Sequence, residues 1–149
     1  ELAPEFALSL AQAQLALGKF VDAERHAQIA MRTNPRAAKL VVAQTRAARR
    51  DFASALAILD ELQAPPQPPR YWFVRGDVLA RMNRLPEARE AFERAIAVDP
   101  QHVDAYVAFA LVQRISGDVA ASDATLAKMV AANPETRELA ERRRREWAR

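Results

Sequence analysis

The chain has 149 residues, half of them hydrophobic, enough to bury a sizeable core in one domain or a short repeat array. Its net charge of +3 is mild and comes from 19 Arg and 3 Lys set against 19 acidic residues. There is no Cys, which excludes disulfides, thiol catalysis and zinc–thiolate sites, and the three Gly stand apart from one another, which excludes a Gly-rich phosphate loop.

Ala, Leu, Arg and Glu dominate, a mixture that favours helices over strands. No apolar run approaches the roughly 18 residues of a membrane span. The chain opens Glu1-Leu2-Ala3-Pro4, without an initiator Met or a signal-peptide pattern, and is expected to be a segment of a longer protein. Arg- and Ala-rich usage is associated with high-GC bacteria. Composition leaves the compartment open, with the bacterial cytoplasm slightly favoured over the periplasm.

Spacing and turn signals predict nine helices: 4–17, 20–33, 36–49, 52–62, 70–82, 86–98, 103–116, 119–132 and 135–148. The first pair turns at Gly18-Lys19-Phe20 and stops at Asn34-Pro35. The second has Phe52, Leu59 and Leu62 as core residues, with Lys39 where the third pair has Trp72. In the third, Trp72, Leu79, Phe92 and Ala95 are spaced to fill the seam between two helices, and Asp99-Pro100 ends the second of them. The fourth carries Tyr106, Phe109, Leu126 and Met129, turns at Gly117-Asp118-Val119 and stops at Asn133-Pro134. Small residues recur in phase at Ala11, Ala43, Gly76 and Ala110, and again at Ala23, Ala55, Ala88 and Ser122, where crossing helices approach closely.

The stretch Trp72-x-x-Arg75-Gly76-x-x-Leu79, then Ala88-x-x-x-Phe92, then Pro100, resembles the 34-residue helix–turn–helix signature of tetratricopeptide repeats. The resemblance extends to four copies, at about 4–37, 36–69, 69–102 and 103–136, with a capping helix at about 135–148. It implies one all-α domain over 1–149, an α-solenoid of stacked antiparallel helix pairs in a right-handed superhelix.

Two segments depart from the repeat. Ala64-Pro65-Pro66-Gln67-Pro68-Pro69 excludes helix and favours extended geometry, as a rigid spacer or as a docking ligand for an aromatic groove elsewhere. The tail, with Arg142-Arg143-Arg144-Arg145 and Trp147, reads as a cap in which Leu139, Ala140 and Trp147 cover the last core face. Glu138 and Glu141 lie at ion-pairing distance from Arg142 and Arg145 on a helix. A nucleic-acid or acidic-membrane contact is the other reading of this tail. Four successive Arg point around the whole helix and form no single stripe.

Nothing in the chain is arranged for catalysis. His26 and His102 fall in different repeats, far from ligand spacing to another His or a carboxylate pair, so no metal site is expected. Asp22, Glu24, Asp60 and Glu61 read as solvated helix carboxylates, and no Ser has a local base. The expectation is a non-enzyme with no cofactor.

The resemblance implies instead a concave surface lined by the first helix of each repeat, which accepts a peptide or protein segment. Its positions here are Glu5, Leu8, Gln12 and Leu15; then Leu40, Gln44 and Ala47; then Arg70, Phe73, Asp77 and Arg81; and last Asp104, Val107, Leu111 and Arg114. Co-chaperone members clamp a C-terminal carboxylate with Lys and Asn, where this chain has Leu8, Gln12 and Gln44, which argues against that ligand. The expected partner carries apolar side chains and an acidic group, its backbone bonded by the Gln amides and its carboxylate by Arg81 and Arg114. Competing readings are an oligomerising module that self-associates through an apolar N-terminal end at Leu2, Phe6 and Leu10, and a substrate-recruiting regulatory arm of a larger bacterial enzyme.

Overall fold

The structure is a computed structural model that describes residues 3–68 and 70–149. Leu2, expected at the N-terminal apolar end, and Pro69, expected in the spacer, lie outside the described residues.

Nine α-helices and one 3-10 turn make up the described chain, with no strand among the described residues. They are α1 Pro4–Ala16, α2 Phe20–Ala30, α3 Pro35–Ala48, α4 Phe52–Glu61, α5 Tyr71–Arg81, α6 Leu85–Val98, α7 Val103–Ile115, α8 Val119–Ala132 and α9 Arg137–Trp147. This is an all-α protein of the α-solenoid class. The chain divides into two compact units, Glu1–Val78 and Leu79–Arg149, with α5 crossing the division.

Local chemistry sets the helix ends. Pro occupies the first turn of α1, α3 and α6, where no backbone N–H is needed. Side chains of Asn34, Asp51, His102 and Asp118 accept a backbone N–H at the starts of α3, α4, α7 and α8. The bond to Ser54 holds the Asp51 carboxyl below the usual aspartate value, with Arg46 and Arg49 adding to the effect.

The turn closing the first helix of each pair has one geometry throughout. Gly18, Arg50, Asn83 and Gly117 take φ of +71°, +65°, +59° and +87°. At each, two backbone bonds cap the helix, as in Gly18 N to Leu15 O and Lys19 N to Gln14 O, the Schellman pattern. Glycine adopts this conformation freely; Arg50 and Asn83 do so at a cost.

In the first unit, α1 and α2 pair, α2 covers α3, and α3 pairs with α4. Ala11, Ala27, Val41 and Val42 form one buried cluster, and Ala7, Ala30 and Ala38 another. Tyr71 is buried, its hydroxyl donating to the Leu59 carbonyl at 2.9 Å. Trp72, expected to fill the seam, is only half-buried and meets Tyr71 edge-on at 4.9 Å. Lys39 pairs with Glu61 at 2.7 Å on the surface.

The Pro-rich segment leaves backbone carbonyls without helical partners, and Arg36 gathers them. Its guanidinium donates to Pro66 O at 2.7 Å, to Leu62 O at 2.9 Å and to Ala64 O. Gln67 folds back to donate to Gln63 O at 2.8 Å.

In the second unit, Tyr106, Ala110, Leu126, Met129 and Ala140 form the buried cluster, with Leu139 and Trp147 of α9 packed against it. The last helix begins later than the expected residue 135. Pro134–Thr136 forms a 3-10 turn, with the Thr136 hydroxyl donating to Asn133 O at 2.6 Å. Ion pairs on α9 join Arg143 to Glu146 at 2.9 Å and Arg144 to Asp123 at 3.5 Å, in place of the expected pairs from Glu138 and Glu141.

All eight in-phase small residues are buried. A larger side chain at these buried positions would have to displace its packed neighbours.

Candidate functional site

A concavity of about 530 Å³ lies within the first unit. It opens where α1 and α3 run side by side. Leu8 and Gln12 enter from α1, and Leu40 and Gln44 from α3. These four form a repeated motif, Leu-x-x-x-Gln, at one register on neighbouring helices. One helical turn separates Leu from Gln in each, so the motif presents two apolar and two amide side chains on one surface.

Leu15, Ala16, Ala37 and Val41 extend the lining. Asn34, Pro68 and Arg70 complete it from segments outside the helices. Leu40, Val41 and Pro68 are buried, whereas Gln12, Asn34 and Arg70 are exposed. The arrangement therefore joins an apolar interior to amide and guanidinium groups open to water.

Arg70 has φ of +68°, and its guanidinium lies 5.4 Å from the Phe73 ring centroid, within cation–π range. This stacking orients a long side chain that would otherwise sample many rotamers. Phe73 and Asp77 lie on the part of α5 within the first unit, both half-buried. Arg81 is exposed in the last turn of α5.

The other sequence-derived positions are on α7 in the second unit. Val107 is half-buried and Leu111 is exposed. Arg114 is half-buried and donates from Nε to the Trp147 carbonyl at 3.2 Å, so the capping helix engages part of its guanidinium. Ile115, one turn beyond Leu111, is 62% exposed and continues an apolar stripe that the repeat positions alone did not single out. Its signal is the four-residue spacing Val107, Leu111, Ile115 along α7.

The structure thus brings Leu8, Gln12, Leu40, Gln44 and Arg70 together, with Leu15. It sets Phe73, Asp77 and Arg81 along α5, and Val107, Leu111 and Arg114 along α7. Glu5 and Asp104 are exposed in first turns. Ala47, expected on the groove, is buried in the core.

The two His are engaged in structural bonds. His26 Nδ1 lies 2.9 Å from the Asp22 carbonyl and 2.7 Å from Gln14 Oε1, so this nitrogen is a donor. His102 Nδ1 accepts the Ala105 N–H at 3.2 Å. Among the described residues no group of three or more His, Asp or Glu is placed to hold a metal ion. Nor is any described helix long and apolar enough to cross a membrane.

A family described as a tetratricopeptide repeat-like domain matches residues 2–114. The chain belongs to this family. Its small-residue register and helix–turn–helix order are those of tetratricopeptide repeats, and the fold is that of a protein–protein interaction scaffold with protein partners. Proteins of this family are generally non-enzymatic.

No curated protein matches the chain. Solved structures share the fold at low identity. A thermophilic tetratricopeptide repeat protein of Thermus thermophilus is 21% identical with a TM-score of 0.80, covering 98% of this chain and 80% of that one. MamA (41-end) from Desulfovibrio magneticus RS-1 is 17% identical with a TM-score of 0.71, covering 91% and 78%. A tetratricopeptide repeat protein from Parabacteroides merdae is 14% identical with a TM-score of 0.71, covering 97% and 60%.

Proposed function

We propose that this tetratricopeptide repeat chain is a non-catalytic scaffold that binds a peptide or protein segment along the first helices of its repeats, anchored between α1 and α3. The repeats are read at about 4–37, 36–69, 69–102 and 103–136. The observation that carries the proposal is the paired Leu-x-x-x-Gln motif, Leu8–Gln12 beside Leu40–Gln44, lining one concavity.

The chemistry favours an extended segment. A Gln side chain offers two donors and an acceptor, so Gln12 and Gln44 match the alternating N–H and C=O groups of an extended backbone. Each such bond contributes about 0.5–1.5 kcal/mol net. Leu8, Leu15 and Leu40 take apolar side chains, and about 530 Å³ accommodates a few of them. Arg70, held over Phe73, takes a carboxylate at the edge. In the second unit, Leu111 and Ile115 leave apolar side chains exposed on α7 beside the half-buried Val107.

The test is capture from cell extract on immobilised chain, comparing wild type with Gln12→Ala/Gln44→Ala/Arg70→Glu. These side chains are exposed or half-buried, so the variant should keep its helical content. Proteins retained by wild type and lost by the folded variant support the proposal. Equal retention by both contradicts it.

A further inference from the structure

Arg70 differs from the residues that share its register. The alignment that pairs Ala11 with Ala43, Gly76 and Ala110 also pairs Arg70 with Glu5, Ala37 and Asp104. Those three lie within α1, α3 and α7, whereas Arg70 precedes α5 and takes φ of +68°. A residue with a Cβ adopts that backbone only at a cost, so its surroundings must hold it there. Arg70 is also the single charged residue among the described residues that line the concavity. A strained backbone and a lone charge coincide at the exposed edge of an otherwise neutral cavity.

Contacts on both sides fix this position. After Arg70, Tyr71 is buried, donating its hydroxyl to Leu59 O and its N–H to Pro68 O at 3.1 Å. Before it, Pro68 is buried in the lining of the concavity. Arg36 holds the chain that leads there, donating to Pro66 O at 2.7 Å and to Ala64 O, and it ties that chain to Leu62 O at 2.9 Å. Arg36 stands in the first turn of α3, between Asn34 and Ala37, which both line the concavity. The start of α3 is therefore a wall of the concavity and the anchor of the segment that delivers its charge.

We infer that Arg36 is a positioning residue for ligand charge: by holding the Pro-rich segment, it sets Arg70 where the concavity reads an Asp or Glu side chain of the bound segment. The inference rests on the peptide-binding reading above. Complementarity selects the ligand group. No acidic residue lines the concavity among the described residues, so a carboxylate meets Arg70 without a competing lining carboxylate, and a cationic group meets only repulsion. Arg70 is exposed at the edge, where a projecting side chain reaches it while the ligand backbone lies against Gln12 and Gln44.

The test begins with a random peptide library selected on the wild-type chain. The peptides are displayed with their C-termini joined to the carrier, so that side chains supply the carboxylates. One enriched peptide is then synthesised with an amidated C-terminus in two forms, acidic and with its Asp or Glu changed to the amide. Fluorescence anisotropy gives the affinity of both forms for wild type, Arg70→Ala and Arg36→Met. Ala at position 70 keeps a Cβ and so keeps the backbone strain. Wild type should prefer the acidic form roughly fivefold, the scale of a charge-assisted bond at an exposed site. Arg70→Ala should bind the two forms alike. Arg36→Met should keep its helical content and show a preference of about twofold or less, with its affinity for the amide form within about twofold of wild type, the coupling expected when one residue acts through another. A purely structural role would weaken both forms equally, and that result overturns the inference. A preference unchanged in Arg36→Met or in Arg70→Ala overturns it as well. Wild-type enrichment of peptides without acidic residues overturns it while leaving the peptide-binding reading in place, whereas enrichment of no peptide overturns both.

Discussion

The hydroxyl of Tyr71 donates to the backbone carbonyl of Leu59 at 2.9 Å, joining the first turn of α5 to the end of α4. Tyr71 is 1% exposed, so the ring supplies apolar burial and the hydroxyl a bond sheltered from water. Tyr71→Ala should cost about 3–5 kcal/mol, as for other large buried aromatics. Tyr71→Phe should cost about 1 kcal/mol, because Leu59 O keeps its backbone bond from Leu62. Half-buried Trp72→Ala should cost less than Tyr71→Ala, and Lys39→Ala under about 1 kcal/mol for its exposed ion pair. Urea denaturation of the four variants gives the order directly.

Burial raises the pKa of Tyr71 above its ordinary value of 10.0. The neutral phenol is favoured in the folded state, so folding binds a proton more tightly there than the unfolded chain does. The associated stability is complete below the unfolded value and is lost as pH rises through the folded one. Phenolate absorbance should therefore show a late-titrating component that disappears in Tyr71→Phe. The stability difference between wild type and Tyr71→Phe should shrink over the same alkaline range. If the component lost in Tyr71→Phe titrated at the ordinary phenol value, that would contradict the burial of this hydroxyl.

The left-handed turn residues give opposite predictions at equivalent sites. Gly18 has φ of +71°, and the space a Cβ would occupy there is open. Gly18→Ala therefore meets no clash, yet it should cost about 1 kcal/mol in backbone strain. Arg50, at φ of +65°, already bears that strain. Arg50→Gly should stabilise by about 0.5–1 kcal/mol, less whatever its contact over Phe52 contributes. Thermal melts of the two variants should move in opposite directions.

Arg36 holds the Pro-rich segment through the Ala64 and Pro66 carbonyls and ties it to Leu62 O at the end of α4. Replacement by Met keeps much of the aliphatic stem and removes every donor. Arg36→Met should cost about 1–2 kcal/mol, the charge-assisted value reduced for partial exposure. Hydrogen exchange should accelerate at Gln63, whose N–H bonds the Asp60 carbonyl, while α1 and α2 stay protected. Uniform acceleration over the whole first unit would mean that Arg36 supports more than the segment.

The fold was legible because repeat phase is a redundant signal. Eight small residues at consistent spacing identify the family, and each is buried, whatever the imperfections of the second repeat. Side-chain direction within a repeat was less legible. Tyr71 and Trp72 are neighbours in sequence, and one residue on a helix is a rotation of about 100°. Two adjacent aromatics gave no basis for choosing which one faces the core. Leu8, Gln12, Leu40 and Gln44 could be placed together because the repeat resemblance gives them equivalent positions on the first helices. Asn34 and Pro68 could not, because irregular backbone has no period to read. The bond from Arg114 to the Trp147 carbonyl spans 33 residues and depends on where the cap docks. Periodicity carries no record of such a contact.

The central claim is that the concavity between α1 and α3 recognises a peptide segment. The most direct test is selection of displayed peptides on the purified chain, run in parallel on wild type and on the folded Gln12→Ala/Gln44→Ala/Arg70→Glu variant. The account predicts that wild type enriches segments combining apolar side chains with an acidic residue, and that the variant does not. Enrichment of the same segments on both proteins, or of none on wild type, would contradict it.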